Sequence, residues 1–190
     1  MKNTRVQKMT AIALLGAIAF IIAFIEIPVV LSPNFVKMDL SDVPALIGSL
    51  LLGPIVGILI EAIKNGLQLL STSTGGIGEL ANFLIGASYV GMVGYSYKLR
   101  KNFVMSCILG SVTMGIVAAF ANYFILLPLY SMFMPLDQMI EAFALFIPII
   151  KTKLDVVLYS ALPFNILKGI IVGCISMIIY KRIGRLYKYE

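Results

Sequence analysis

The sequence predicts an all-α integral membrane protein, a bundle of six transmembrane helices with a short second helix. Three observations carry that prediction. Of 190 residues, 60% are hydrophobic and 13% charged, against about 25% charged in a soluble domain. Mean hydropathy is +0.99. The apolar residues fall in long runs, broken by proline, glycine and basic clusters. At roughly 20 residues per span, six spans and their loops fill the chain. A single membrane-embedded domain over residues 1–190 is therefore expected, with no soluble catalytic domain beside it. Histidine is absent. Cys107 and Cys174 both lie inside apolar runs, which suggests neither a disulfide framework nor a metal cluster.

Helix 1 is expected over about 9–27, stopped by Pro28. Its basic start (Lys2, Arg5, Lys8) imitates a signal peptide, but no polar secreted domain follows, so the run reads as the first span. A mixed stretch from Val29 to Ser41 comes next. Asp42-Val43-Pro44 then opens helix 2, about 43–52, too short to cross the bilayer fully. Gly53-Pro54 breaks it, and helix 3 follows over about 55–70. The link from Ser71 to Gly78, with Gly75-Gly76-Ile77-Gly78, either lets backbone approach a ligand or turns tightly between helices. Helix 4 spans about 79–97 and helix 5 about 103–127, before Pro128. The half-apolar loop from Leu129 to Tyr159 is expected to hold an interfacial helix around Leu136 to Phe146. Helix 6 runs over about 162–180, ahead of a basic tail.

Charge sets the orientation. The start of the chain, the Lys98-Leu99-Arg100-Lys101 loop, and Lys181, Arg182, Arg185 and Lys188 fall on one side of a six-span chain, which is the expected cytoplasmic side. The opposite side collects Asp39, Asp42, Glu79, Asp137, Glu141 and Asp155 against Lys37, Lys151 and Lys153. Both termini are thus expected in the cytoplasm. The net charge of +6 arises from this asymmetry. It points to anionic lipid of the bilayer rather than nucleic acid.

Ionisable groups inside spans are costly and mark functional sites by default. Here they are Glu26, Glu61, Lys64 and Lys168, joined by Asn65, Gln68, Asn82, Asn122 and Asn165. Apart from Glu26 and Glu61, these polar residues and Glu79 occupy the half of the membrane away from the basic loops, so the polar centre opens outward. Glu61, Lys64, Asn65 and Gln68 recur at helical spacing and form one stripe. Glu61 with Lys64 reads equally well as an internal ion pair holding helices together. The small residues inward of Asn82 and Asn122 read as helix packing, which leaves the amides as the ligand candidates. Asn165 and Lys168 share a helical face and offer a donor–acceptor edge, suited to a ligand with alternating carbonyl and N–H groups. The alternative for Lys168 is snorkelling outward. On helix 1, Ala13 and Ala17, then Ala19 and Ala23, allow close approach of another helix, within the chain or in a partner.

The sequence has no Walker A motif, no nucleophile elbow and no His-Glu-x-x-His, so an enzyme is not expected. Six helices without an evident inverted repeat are few for a self-sufficient secondary transporter. The residues describe a small-molecule-binding bundle, without cofactor or energy source, that needs a partner to move cargo.

Several motifs together carry a resemblance. They are Lys37-Met38-Asp39-Leu40-Ser41-Asp42-Val43-Pro44 with Gly53-Pro54, Glu61-Ala62-Ile63-Lys64-Asn65, Gly78-Glu79-Leu80-Ala81-Asn82-Phe83, Asn122-Tyr123-Phe124, Pro128-Leu129-Tyr130, and Pro163-Phe164-Asn165 with Lys168-Gly169. In this order, along nearly the whole chain, the sequence resembles the substrate-binding S components of energy-coupling factor (ECF) vitamin importers, and the riboflavin-specific kind most. The resemblance implies a loop after helix 1 that caps an outward-facing site. It also implies a membrane-embedded coupling protein and two cytoplasmic ATPases as partners, with Ala13 and Ala17 facing the coupling protein. Riboflavin, a planar apolar ring with one uracil-like edge and a polyhydroxyl chain, suits these residues. Asn165, Lys168 and Asn122 would read the edge, while Asp39, Glu79 and Asn82 would accept from ribityl hydroxyls, or the reverse. Leu40 would cover the ring, and Glu61, Lys64, Asn65 and Gly78 would support the site from behind. Two other readings stay open at this point. One is an S component for another vitamin or precursor. The other is a small ion-coupled transporter using Glu61 and Lys64.

Overall fold

The computed structural model describes residues 4–28, 37–72 and 74–186. It is all-helical apart from one minimal pairing. Helix α1 (Thr4–Ala23) leads to β1 (Ile27–Pro28), which pairs antiparallel with β2 (Lys37–Met38). Then follow α2 (Asp42–Leu52), α3 (Pro54–Gln68) with a 3-10 turn at Leu69–Ser71, α4 (Ile77–Arg100) and α5 (Phe103–Ala121). A π-helical turn, Asn122–Leu126, runs on into α6 (Leu127–Tyr130). After α7 (Leu136–Ala144), the short α8 (Lys153–Val156) and a second π turn, Val157–Ala161, run into α9 (Leu162–Leu186). Among the described residues, five continuous helical stretches are long and apolar enough to cross a membrane: Arg5–Ala23, Pro54–Ser71, Ile77–Arg100, Phe103–Tyr130 and Lys153–Arg182. Helix α2 is apolar but shorter.

Helix α2 is the centre of the bundle. Every residue from Asp42 to Leu50 is buried, under α1, α3, α4 and α9. Its apolar side chains join Ile60, Tyr89, Val90, Val93, Met114 and Val172 in the main core. Two buried hydroxyls there are matched: Ser49 Oγ donates to Val90 O at 2.6 Å, and Tyr89 Oη to Gly169 O at 2.7 Å. Leu127, Met139, Phe143, Ile150, Val156 and Val157 form a second core, which seats α7 against α6 and α8.

Small residues on α1 divide by direction. Ala19 and Ala23 are buried, and Gly16 lies against Ile63 of α3. Ala13 and Ala17 are exposed on the other face.

The structure departs from the sequence reading at both ends of the first span, the end of the fifth and the start of the last. Helix α1 starts at Thr4 and stops at Ala23, short of Pro28, because Ile27–Pro28 is extended and pairs with Lys37–Met38. Pro128 does not end the fifth span, which continues to Tyr130. Pro163 lies inside the last one, which begins at Lys153 rather than near Leu162. Pro128 and Pro163 each follow a π turn by two residues. A proline ring clashes with the carbonyl four residues back, and the wider turn moves that carbonyl away. The start at Lys153 is set by a capping box. Thr152 Oγ1 accepts from Asp155 N at 3.2 Å, and Asp155 Oδ2 accepts from Thr152 N at 2.8 Å. The part of the mixed loop at 29–36 lies outside the described residues.

Candidate ligand-binding site

A cavity of about 880 Å³ lies at the end of the bundle remote from Arg5, Lys8, Lys101 and Lys181. That volume is in the range of small-molecule sites. The end of α1, the residues before α2, the end of α3 and the start of α4 form one side. The two π turns, α6, α7 and the start of α9 form the other. Tyr130, Phe133, Met134, Met139, Phe143 and Phe164 give it an apolar, largely aromatic wall. Asp39, Glu79, Asn82, Asn122, Asn165 and Lys168 supply polar groups, with Glu26, Gln68, Thr74 and Ser160.

Two lysines and three carboxylates form an ionic network at the floor. Lys64 Nζ lies 2.7 Å from Asp42 Oδ1 and 2.7 Å from Glu61 Oε2, and donates to Ser41 Oγ at 3.0 Å. Lys168 Nζ lies 3.0 Å from Asp42 Oδ2 and 3.3 Å from Asp39 Oδ2. Ser41 donates its N–H to Asp39 Oδ1 at 2.8 Å, and its hydroxyl to the same oxygen. Burial resists ionisation of Asp39, and the Lys168 and Lys64 ammonium groups with the Ser41 hydrogen bond together outweigh it, holding the carboxyl below its ordinary range. Glu61 fits beside α4 because residue 86 is glycine: a Cβ there would stand 2.9 Å from Glu61 Oε2.

Two of the cavity amides are oriented the same way. Asn122 Nδ2 donates to Ala118 O at 2.8 Å, and Asn165 Nδ2 to Ala161 O at 2.8 Å. A carbonyl only accepts, so each amide turns its nitrogen to the helix and directs its oxygen elsewhere. Glu79 is engaged with the preceding link. Its Oε2 accepts from Thr72 Oγ1 and Thr74 Oγ1, each at 3.0 Å. Gly75 and Gly76 turn at φ 62° and 90°, so this link makes the tight turn that only glycine adopts readily.

Residues 7–180 match the family model of the ECF transporter substrate-specific component. The chain belongs to this family. Among proteins similar to this S component is the riboflavin transporter RibU of Staphylococcus aureus (strain TCH60), 34% identical over 96% of this chain and 93% of its own length. Another is the riboflavin transporter FmnP of Bacillus subtilis (strain 168), 33% identical over 93% of this chain and 91% of its own. A solved bacterial ECF transporter S component superposes with a TM-score of 0.77 at 32% identity, covering 97% of this chain and 99% of that one. The S component is accordingly a multi-pass membrane protein of a transporter family.

Of the residues singled out from the sequence, Asp39, Glu79, Asn82, Asn122, Asn165 and Lys168 line the cavity together, and so does Gly78. Leu40 does not: it packs on the main core. Neighbouring side chains of an extended segment point to opposite sides, and Asp39 takes the cavity side. Lys168 is not snorkelling; it is buried and paired. Glu61 and Lys64 sit wholly buried behind the floor, and Asn65 borders a separate cleft of about 320 Å³ between α3 and α4. Sequence reasoning missed Ser41 and Asp42 as parts of the network, although both stand within three residues of Asp39. It also missed the aromatic wall. The four-residue spacing of Met139 and Phe143 on α7 was the available signal for that wall.

Proposed function

We propose that this S component binds riboflavin with high affinity and serves its uptake by an ATP-driven ECF importer. One observation carries the reading: a single cavity sets an aromatic wall against a row of amide, carboxylate and ammonium groups. Riboflavin has the matching halves, a planar apolar ring and hydrogen-bonding groups at both ends. The relatives named riboflavin transporters, aligned over nearly the whole chain, support the same ligand. Asn165, Lys168 and Asn122 read the uracil-like ring edge. Asp39 and Asn82 accept from ribityl hydroxyls, with the Glu79 carboxylate beside them.

In this reading six helices, α2 being the short one, form a single binding domain. Both termini are cytoplasmic, the cavity faces outward, and the loop between α1 and α2 caps it. Two cytoplasmic ATPases and a membrane-embedded coupling protein supply the work, and the exposed Ala13 and Ala17 face the coupling protein. Small residues exposed on a membrane helix allow such close approach. The test is to purify the chain in mild detergent, record its visible absorption, extract any bound small molecule and titrate riboflavin. The expected result is saturable binding of one riboflavin per chain, unaffected by excess of other vitamins. No binding in the direct titration would refute the ligand, and uptake by the isolated chain in liposomes driven by an ion gradient would refute the need for ATPase partners.

A further inference from the structure

We propose that Lys64 and Ser41, which do not line the cavity, are positioning residues for substrate binding: they set the Asp39 and Lys168 groups that do. The proposal rests on the riboflavin reading of the cavity.

The contacts close a ring. Lys64 touches Asp42, Asp42 touches Lys168, Lys168 touches Asp39, Asp39 accepts from Ser41, and Ser41 accepts from Lys64. Asp39 and Lys168 are the only members among the cavity-lining residues. Ser41, Asp42 and Lys64 are each 0% exposed. An ion pair that merely joined two helices would need no such closure.

Donor and acceptor chemistry gives the ring a direction. An ammonium has three protons to donate and cannot accept. Lys64 places its contacts on Asp42 Oδ1, Glu61 Oε2 and Ser41 Oγ. Ser41 Oγ therefore accepts from Lys64, and its own proton is left for Asp39 Oδ1, the contact observed. Lys64 thus fixes the Ser41 hydroxyl, which fixes one oxygen of Asp39 and leaves Oδ2 for Lys168. On the other arm, Asp42 divides its carboxylate, Oδ1 to Lys64 and Oδ2 to Lys168. Both groups that meet the ligand are consequently aimed from behind by one buried ammonium.

Replacing Lys64 by Met would leave the buried Glu61 carboxylate without its cation and Asp42 with Lys168 alone, which threatens folding, so the test is made at Ser41. The full chain is purified unaltered, as Ser41→Ala, as Asp39→Ala and as the double variant. Riboflavin affinity is measured by equilibrium dialysis, which reads weak as well as tight binding, alongside thermal unfolding. Ser41→Ala is expected to fold, with a modestly lowered melting temperature, and to weaken riboflavin about fivefold, the scale of one hydrogen bond. In the Asp39→Ala background the same change should weaken binding less than twofold, because the carboxylate that Ser41 fixes is gone. The visible band of bound riboflavin should also shift in Ser41→Ala relative to the unaltered chain. Equal losses in both backgrounds, or an unchanged affinity in Ser41→Ala, overturn the positioning role while leaving riboflavin as the ligand. Absence of riboflavin binding by the unaltered chain overturns the ligand itself, and the positioning role with it.

Discussion

Replacing Lys168 by methionine separates the structural from the ligand-binding work of one side chain. Methionine fills most of the volume of the lysine stem but carries no donor. In the protein alone the change removes the 3.0 Å contact to Asp42 and the 3.3 Å contact to Asp39. Asp42 keeps Lys64 on Oδ1, so only Oδ2 loses its partner. An unpaired buried acceptor costs about 1–3 kcal/mol, partly offset because a buried ammonium no longer has to be desolvated. A modest fall in melting temperature is expected. In the complex, a hydrogen bond from a charged donor contributes about 1.5–3 kcal/mol, or roughly 10- to 150-fold in the dissociation constant. The assay is quenching of riboflavin fluorescence at neutral pH, with thermal unfolding in the same detergent. A folded variant that binds riboflavin within threefold of the unaltered chain would remove Lys168 from the ligand and refute the polar-edge assignment. Lower stability with full affinity would confine Lys168 to the ionic network.

Gly86→Ala should lower the melting temperature by overpacking worth about 1–3 kcal/mol, since its Cβ would meet Glu61 Oε2 at 2.9 Å and Cδ at 3.1 Å; an unchanged thermal transition would show that the Glu61 carboxylate moves freely. Asp39 gives a pH dependence. Its carboxyl is held below the ordinary value of 3.8, so its contribution is complete above that value and is lost as pH falls through the folded-state value. Thermal unfolding should show stability dropping below about pH 4, with a shallower drop in Asp39→Asn. Ala13→Leu with Ala17→Leu should leave riboflavin affinity and melting temperature unchanged and abolish ATP-driven uptake in the reconstituted complex, because both positions are exposed on α1. Normal uptake by that double variant would move the partner surface elsewhere.

Polar residues were legible in the sequence because a bilayer penalises them: Asn82, Asn122, Asn165 and Lys168 stand out against apolar runs and converge on one cavity. Apolar site residues carry no such contrast. Phe133, Phe143 and Phe164 look in sequence like any lipid-facing or core aromatic, and only the packing of α7 and α9 shows them on the cavity wall. The interfacial helix was expected around Leu136 to Phe146 and is seen at Leu136–Ala144. The helix beginning at Lys153 was missed, although Thr152 and Asp155 spell a capping box, because the stretch up to Tyr159 was read as a half-apolar loop. Partners were harder still. Glu61 with Lys64 was visible at one-turn spacing, but the link from Lys64 through Asp42 to Lys168 joins three helices and has no local pattern.

The π turns at Asn122–Leu126 and Val157–Ala161 have a bearing on how such chains can vary in length. A π turn accommodates one residue more than the α repeat around it, so each of these helices changes phase part-way along. Residues on the basic side of the turn keep one angular frame, and those beyond it keep another, offset by about 100°. Leu127 and Tyr130 reach the cavity in the second frame, while Ser111, Gly115 and Ala118 pack the bundle in the first. Removing a single residue from within either turn would restore an unbroken α-helix and swing the cavity-side segment away from the ligand, with every remaining side chain still present. In this fold the number of residues between a packing face and a binding face is as much a determinant of the site as their identity.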